Sequence, residues 1–202
     1  NVYRYDGNGN MISITEEFES FVGNTVAGLP GFKDFTKVCI LKYNGFNQMK
    51  MYGHSYAGWA YRPYKYKPDG LLHSSSKHPP DYFWDRNQIL FLHSMPVYYG
   101  TERIALKDIY YHHNAHGDNV LCTKPNGDIL AANEYDAFGI HKNQVSNAFG
   151  YCGEWYDTQS GLYYLRNRWY DPELGRFTSE DPVCSGLNWY AYCSNKRSAI
   201  IV

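Results

Sequence analysis

Short apolar and aromatic runs alternate along this chain with clusters of Gly, Asn, Asp and Pro, and the runs are too short and too regularly interrupted for helices. One local pattern recurs: an aromatic, any residue, Tyr, then Asp or Asn, two residues, Gly or Asn, and an apolar residue. It opens the chain as Tyr3-Arg4-Tyr5-Asp6-Gly7-Asn8-Gly9-Asn10-Met11. It returns around Tyr43-Asn44 and Tyr66-Lys67-Pro68-Asp69-Gly70, in degenerate form over residues 82–89, and at Tyr135-Asp136-Ala137-Phe138-Gly139. The copies lie roughly 20 to 45 residues apart, the range of repeat architectures.

The physics of one unit is local. Alternate Tyr residues put one face of a strand against its neighbour. Asp or Asn starts a turn by bonding nearby backbone, and Gly supplies a positive φ. One hairpin alone is marginal in water, so each unit needs its neighbours. The clearest hairpin has Asn126-Gly127 between Val120–Thr123 and Ile129–Ala132. Residues 15–35 break the pattern. Thr15-Glu16-Glu17-Phe18 resembles a helix start, so this span reads as an inserted loop or short helix.

Composition sharpens this picture. The 202 residues include 21 Tyr and 18 Gly, and 44% are hydrophobic. That favours many short strands around a real core. A net charge of -1 gives no reason to expect nucleic acid or an anionic membrane as partner. No apolar run is long enough for a membrane-spanning helix. Five Cys with no CxxC read as buried small hydrophobes. The opening on Asn1, in mid-pattern, suggests a piece of something longer.

Residues 147–193 carry the most specific pattern. They include Gly150-Tyr151-Cys152-Gly153-Glu154, Gly161-Leu162-Tyr163-Tyr164-Leu165-Arg166-Asn167-Arg168-Trp169-Tyr170-Asp171-Pro172-Glu173-Leu174-Gly175-Arg176-Phe177-Thr178, Asp181-Pro182, and Leu187-Asn188-Trp189-Tyr190-Ala191-Tyr192-Cys193. Physically, Leu162–Tyr170 reads as one long aromatic strand, Asp171-Pro172 to Gly175 as a turn, and Arg176-Phe177 as the start of a return strand. The whole closely resembles the RHS repeat-associated core of RHS/YD-repeat proteins, the bacterial polymorphic toxins, toxin-complex C proteins and wall-associated proteins.

The resemblance implies an all-β fold with little helix: antiparallel hairpin repeats forming a curved, spiralling sheet, part of a β-cocoon shell. It divides the chain into a YD-repeat array over 1–140, a core over 141–193 and a divergent tail over 194–202. It implies a secreted or cell-surface parent protein whose shell encloses and delivers a C-terminal toxin. The partners would be the remaining repeats and that toxin. A cell-surface carbohydrate- or receptor-binding module is the alternative, since aromatic faces stack on sugars.

Candidate chemistry is sparse. Arg168 and Asp181 match the upstream arginine and first aspartate of the family's self-cleavage site. An aspartyl reaction wants two carboxylates sharing a proton. The second would come from an Asp-Pro-x-Gly-Leu motif, which is not in this sequence. The expectation is therefore no enzyme activity and an uncut chain. Spontaneous fragmentation of the purified chain, prevented by Asp181→Asn, would overturn it. His112, His113, His116 and Asp118 have spacing that could ligate zinc on a helix. They fall instead on a strand and a turn, which splits them, so no metal or cofactor is expected. Cys152 shows no nucleophile elbow, and Glu154 with Asp157 is acidic spacing too common to carry weight.

Overall fold

The computed structural model describes residues 2–24, 30–55, 60–75, 81–143, 148–184 and 187–193, with main chain alone for 17–24, 30–36 and 60. Among the described residues it is β-sheet and turns, with a 3-10 turn at Tyr151–Gly153. The chain divides into two compact units, Asn1–Pro63 and Tyr64–Val202.

The first unit is a five-stranded sheet in chain order: β1 (Val2–Tyr5), β2 (Met11–Asn24), β3 (Pro30–Tyr43), β4 (Met49–His54) and β5 (Ala60–Pro63). In the second unit, β6 (Lys65–Tyr66) pairs with β7 (Leu72–Ser74). A seven-stranded sheet follows, of β8 (Tyr82–Asp85), β9 (Gln88–Leu92), β10 (Met95–Tyr99), β11 (Arg103–Leu106), β12 (Ile109–His113), β13 (Asn119–Thr123) and β14 (Ile129–Ala132). A four-stranded sheet closes the unit with β15 (Trp155–Asp157), β16 (Leu162–Leu165), β17 (Arg168–Asp171) and β18 (Arg176–Phe177). Strand neighbours are consecutive in sequence and antiparallel throughout, as hairpin repeats require.

One turn builds most of this. Its first residue donates its N–H to the carbonyl four residues on, and the fourth residue donates back to the first residue's carbonyl. Among the described residues it starts at Asp6, Asn44, Lys67, Asn114, Lys124, Asp136 and Gly150. The fourth residue has positive φ in every copy, from 57° at Asn47 to 90° at Gly139. Where the first residue is Asp or Asn, its Oδ1 accepts two more backbone N–H groups. Asp6 takes those of Asn8 and Asn10, and Asp136 those of Phe138 and Ile140. The flanking residues then pair six apart: Tyr5 with Met11, Tyr43 with Met49, Tyr66 with Leu72, Tyr135 with His141. Met11, Met49 and Leu72 are buried, so at these three copies the turn delivers an apolar side chain to the core. In the first unit, Asn10 Nδ2 bonds both Asp6 Oδ2 and Asn47 Oδ1, each at 3.0 Å, which ties one turn to the next.

Three expectations change. Residues 15–35 are not a loop or short helix where described. They extend β2 and β3 as one long ladder that pairs Thr15 with Val38 and Phe18 with Phe35, the 25–29 tip lying outside the described residues. Leu162–Tyr170 is not one strand but two, because Arg166 adopts φ 62° and the chain reverses at Arg166-Asn167. The 82–89 copy is a tight hairpin at Arg86 (φ 52°) that pairs Asp85 with Gln88, without the recurring turn.

Within the second unit, the turn at Asp136 bonds forward across residue 140. Its consecutive carbonyls Ala137, Phe138 and Gly139 accept hydroxyls from Tyr151 (3.2 Å), Tyr170 (2.8 Å) and Tyr163 (3.1 Å). These three tyrosines and Phe177 form the aromatic core of the four-stranded sheet, so the repeat before residue 140 is bonded into the segment after it.

Asp171 gives this core a pH dependence. It is buried, and its Oδ1 caps the Asp-Pro turn by accepting N–H groups from Glu173 and Leu174. Burial outweighs those bonds and raises its pKa from 3.8 to about 6. The folded state therefore holds a proton that the unfolded chain has released. Its stability contribution is full below about pH 4 and is lost as pH rises to about 6, by roughly 3 kcal/mol. Asp171→Asn should remove this slope. Urea midpoints of wild type and variant should agree at pH 4 and diverge by pH 7, with the variant more stable. Parallel curves would contradict the assignment.

Candidate functional site

The two residues matched to the self-cleavage site do meet. Arg168 opens β17 and Asp181 lies past β18 beside Pro182, with Nη2 and Oδ2 3.7 Å apart. The guanidinium lies 3.6 Å over the Phe177 ring and donates to the Trp189 carbonyl at 2.9 Å. Burial lowers the Arg168 pKa and the Asp181 charge offsets part of that. Asp181 Oδ1 accepts the Val183 N–H at 2.9 Å, and its main-chain N–H bonds the Trp189 carbonyl. The pair thus holds the 187–193 segment against the sheet. The pair brings one carboxylate and one guanidinium together, and nothing in this sequence supplies the matching second motif.

The remaining motif residues bond and pack among the strands and turns of the second unit. Tyr164 accepts the Leu72 N–H at 2.8 Å and donates to the Gly70 carbonyl, and Trp169 Nε1 donates to Tyr66 at 2.9 Å. Gly161 (φ 74°) closes the turn begun by Asp157. Gly175 (φ 64°) lies where a Cβ would meet the Phe138 ring at 3.1 Å. Arg176 lies over the Tyr190 ring. Glu154 and Asp157 do not face one another as a hydrolytic pair: Glu154 pairs with Arg166 at 3.1 Å and Asp157 bonds the Tyr64 hydroxyl.

The histidine run splits as its strand placement requires. His112 reaches Thr123 at 3.0 Å, and His113 faces Glu102 at 3.4 Å. His116 and Asp118 stay together, 2.9 Å apart, and a residue far along the chain joins them. Cys152 sits in the 3-10 turn with φ 52° and Sγ 3.9 Å from His116 Nδ1. Burial pushes its thiol up to about 12, so it is no thiolate nucleophile at neutral pH. Cys39 and Cys122 are buried as expected, whereas Cys184 and Cys193 are exposed. Sequence reasoning missed the three-residue grouping because its members sit 34 residues apart.

No family model matches the chain. It is similar to the tRNA3(Ser)-specific nuclease WapA of Bacillus spizizenii, 40% identical over 101 residues that are 44% of this chain and 4% of that protein. It is also similar to the toxin protein Tse5 of Pseudomonas aeruginosa, 51% identical over 101 residues that are 48% of this chain and 7% of that one. Among solved structures it is similar to the Tc holotoxin pore of Photorhabdus luminescens, with TM-score 0.44 and 16% identity over 96% of this chain and 14% of that chain. The chain therefore spans only a few hundredths of the length of these curated relatives.

Proposed function

We propose that this chain is a length of shell wall with its core plug from an RHS/YD-repeat toxin, and that it encloses and delivers a C-terminal toxin rather than catalysing a reaction. The carrying observation is that the hairpins complete one another. Tyrosine hydroxyls of the 151–170 segment bond the backbone of the Asp136 turn, and Tyr163, Tyr164 and Tyr170 are fully buried between strands. Similarity to a nuclease and a toxin supports a toxin parent. Secretion or surface display follows from the same reading.

A second reading, adhesion to a glycan or receptor, draws on Phe83, Phe91, Tyr98 and Tyr110, which are exposed on the seven-stranded sheet. Most of the aromatic surface is nevertheless interleaved rather than arrayed in a groove.

A wall segment carries edges made for neighbours. β14 pairs with β13 on one side and exposes Ile129 (69%) and Leu130 (44%). The isolated 202 residues should therefore self-associate with concentration in light scattering. A monodisperse, highly stable monomer at high concentration would count against the proposal.

A further inference from the structure

Two turns meet at the end of the β12–β13 hairpin, and each brings ligand-type atoms to the junction. The Asn114 turn presents His116 and Asp118. The Gly150 turn presents Cys152. His116 Nδ1 lies 2.9 Å from Asp118 Oδ1 and 3.9 Å from Cys152 Sγ, and all three ligand atoms fall within 4.8 Å of one another. Among the described residues, this is the one grouping of three such side chains with that geometry.

We propose that His116, Asp118 and Cys152 form a binding site for a late first-row divalent cation, with Zn²⁺ the fitting ion. The donor set decides the class. One imidazole nitrogen, one thiolate and one carboxylate is a borderline-soft mixture that suits Zn²⁺ and not Ca²⁺ or Mg²⁺. Tetrahedral Zn²⁺ with ordinary Zn–S and Zn–N lengths separates the sulfur and nitrogen by about 3.5 Å. The observed 3.9 Å is within a small side-chain adjustment of that. Three protein ligands leave the fourth position to water, and His116, at 37% side-chain exposure, provides the way in.

The surroundings hold the ligands in place. Asn114 Nδ2 donates to Asp118 Oδ2, and Asn114 Oδ1 accepts the N–H groups of His116 and Asp118, all at 2.9 Å. This is the outer-shell bonding that fixes ligand orientation at metal sites. Cys152 donates its N–H to Asp118 Oδ1 at 2.8 Å, so the two turns are joined across the site. The turns approach backbone to backbone: a Cβ on Gly153 would meet the Gly117 carbonyl oxygen at 3.3 Å. Cys152 itself is held at a left-handed φ, with Sγ 3.9 Å from His116 Nδ1 and 3.3 Å from the Tyr192 hydroxyl. Binding would displace the Cys152 thiol proton to solvent, and His116 would ligate through Nδ1 as its Nε2–H tautomer. The site would staple the β12–β13 turn to the start of the four-stranded sheet. It does not depend on the shell reading.

The test is a Co²⁺ titration of the reduced 202-residue chain, followed by absorption spectroscopy and Zn²⁺ displacement. The expected result is one bound equivalent with tetrahedral ligand-field bands and thiolate-to-cobalt charge transfer, both erased by Zn²⁺. Cys152→Ser should abolish the charge-transfer band. His116→Ala, at a half-exposed position that does not threaten folding, should weaken binding by at least about tenfold. Cys184→Ser, at an exposed cysteine outside the group, should change neither. Absence of a charge-transfer band in the wild type overturns the proposal. So does a band that survives Cys152→Ser, or His116→Ala affinity equal to wild type.

Discussion

Gly139→Ala is expected to unfold the Tyr64–Val202 unit, or to lower its stability by about 3 kcal/mol or more. Gly139 is the positive-φ residue of the Asp136 turn, at 90°. An alanine there meets two separate penalties. The left-handed backbone costs a side chain about 1–2 kcal/mol. The new Cβ would also lie 2.7 Å from Cδ1 and Cγ of Tyr151, closer than any real contact, with the ring pinned by its bond to the Ala137 carbonyl. Neither partner can retreat. The turn is fixed by three tyrosine hydroxyls, and Tyr151 packs on Tyr163 and Tyr192. Gly127→Ala is the matched control. Its φ is 88°, but no atom lies within 4 Å of the added Cβ, so it should lose only about 1 kcal/mol. Chemical denaturation of both variants reads the difference directly. Equal losses would show that the turn conformation, and not the tyrosine packing, sets the requirement.

Tyr163→Ala should cost about 3–5 kcal/mol, a large share of the stability of a domain this size. The side chain is fully buried on β16. Its ring lies 4.7 Å from Tyr156, 6.0 Å from Tyr151 and 6.4 Å from Tyr170, and stacks at 12° on His141. Its hydroxyl donates to the Gly139 carbonyl and sits 2.8 Å from His141 Nε2. Burial lowers the His141 pKa, so the neutral ring can donate from Nε2 and complete the chain of bonds. Tyr163→Phe keeps the packing and removes only these bonds, so it should cost about 1–2 kcal/mol. If the two variants were equally destabilised, the hydroxyl network would outweigh the aromatic packing, contrary to this expectation.

The recurring turn was legible because its cause is local. Asp or Asn followed three residues later by Gly contains both the side-chain acceptor and the positive φ, and no distant residue is needed. Asp6 and Asp136 carry both, Asn44 has the acceptor with Asn47 as the positive-φ residue, and Lys67 has Gly70 with Asp69 beside it, so these copies could be read from the sequence. The copy at Gly150 has no Asx residue, so it was not visible. The tight reversals were hidden too. Arg86, His93, Ser94, Lys107 and Arg166 all take positive φ, where sequence signals favour Asn or Gly. Tertiary bonds impose those conformations: His93 donates its N–H to the Asp81 carbonyl, and Arg166 pairs with Glu154. At the candidate site, the Arg168–Asp181 pairing followed from resemblance. The meeting of His116, Asp118 and Cys152 followed from no spacing, because it depends on two turns packing face to face.

The shell reading turns on whether this wall encloses anything. The direct measurement is limited proteolysis of the full-length gene product, following the segment C-terminal to these 202 residues by mass spectrometry. Enclosure predicts that this segment resists protease in the native protein and becomes cleavable once heat or denaturant opens the wall. Digestion of that segment at the rate of the same segment expressed alone would contradict it.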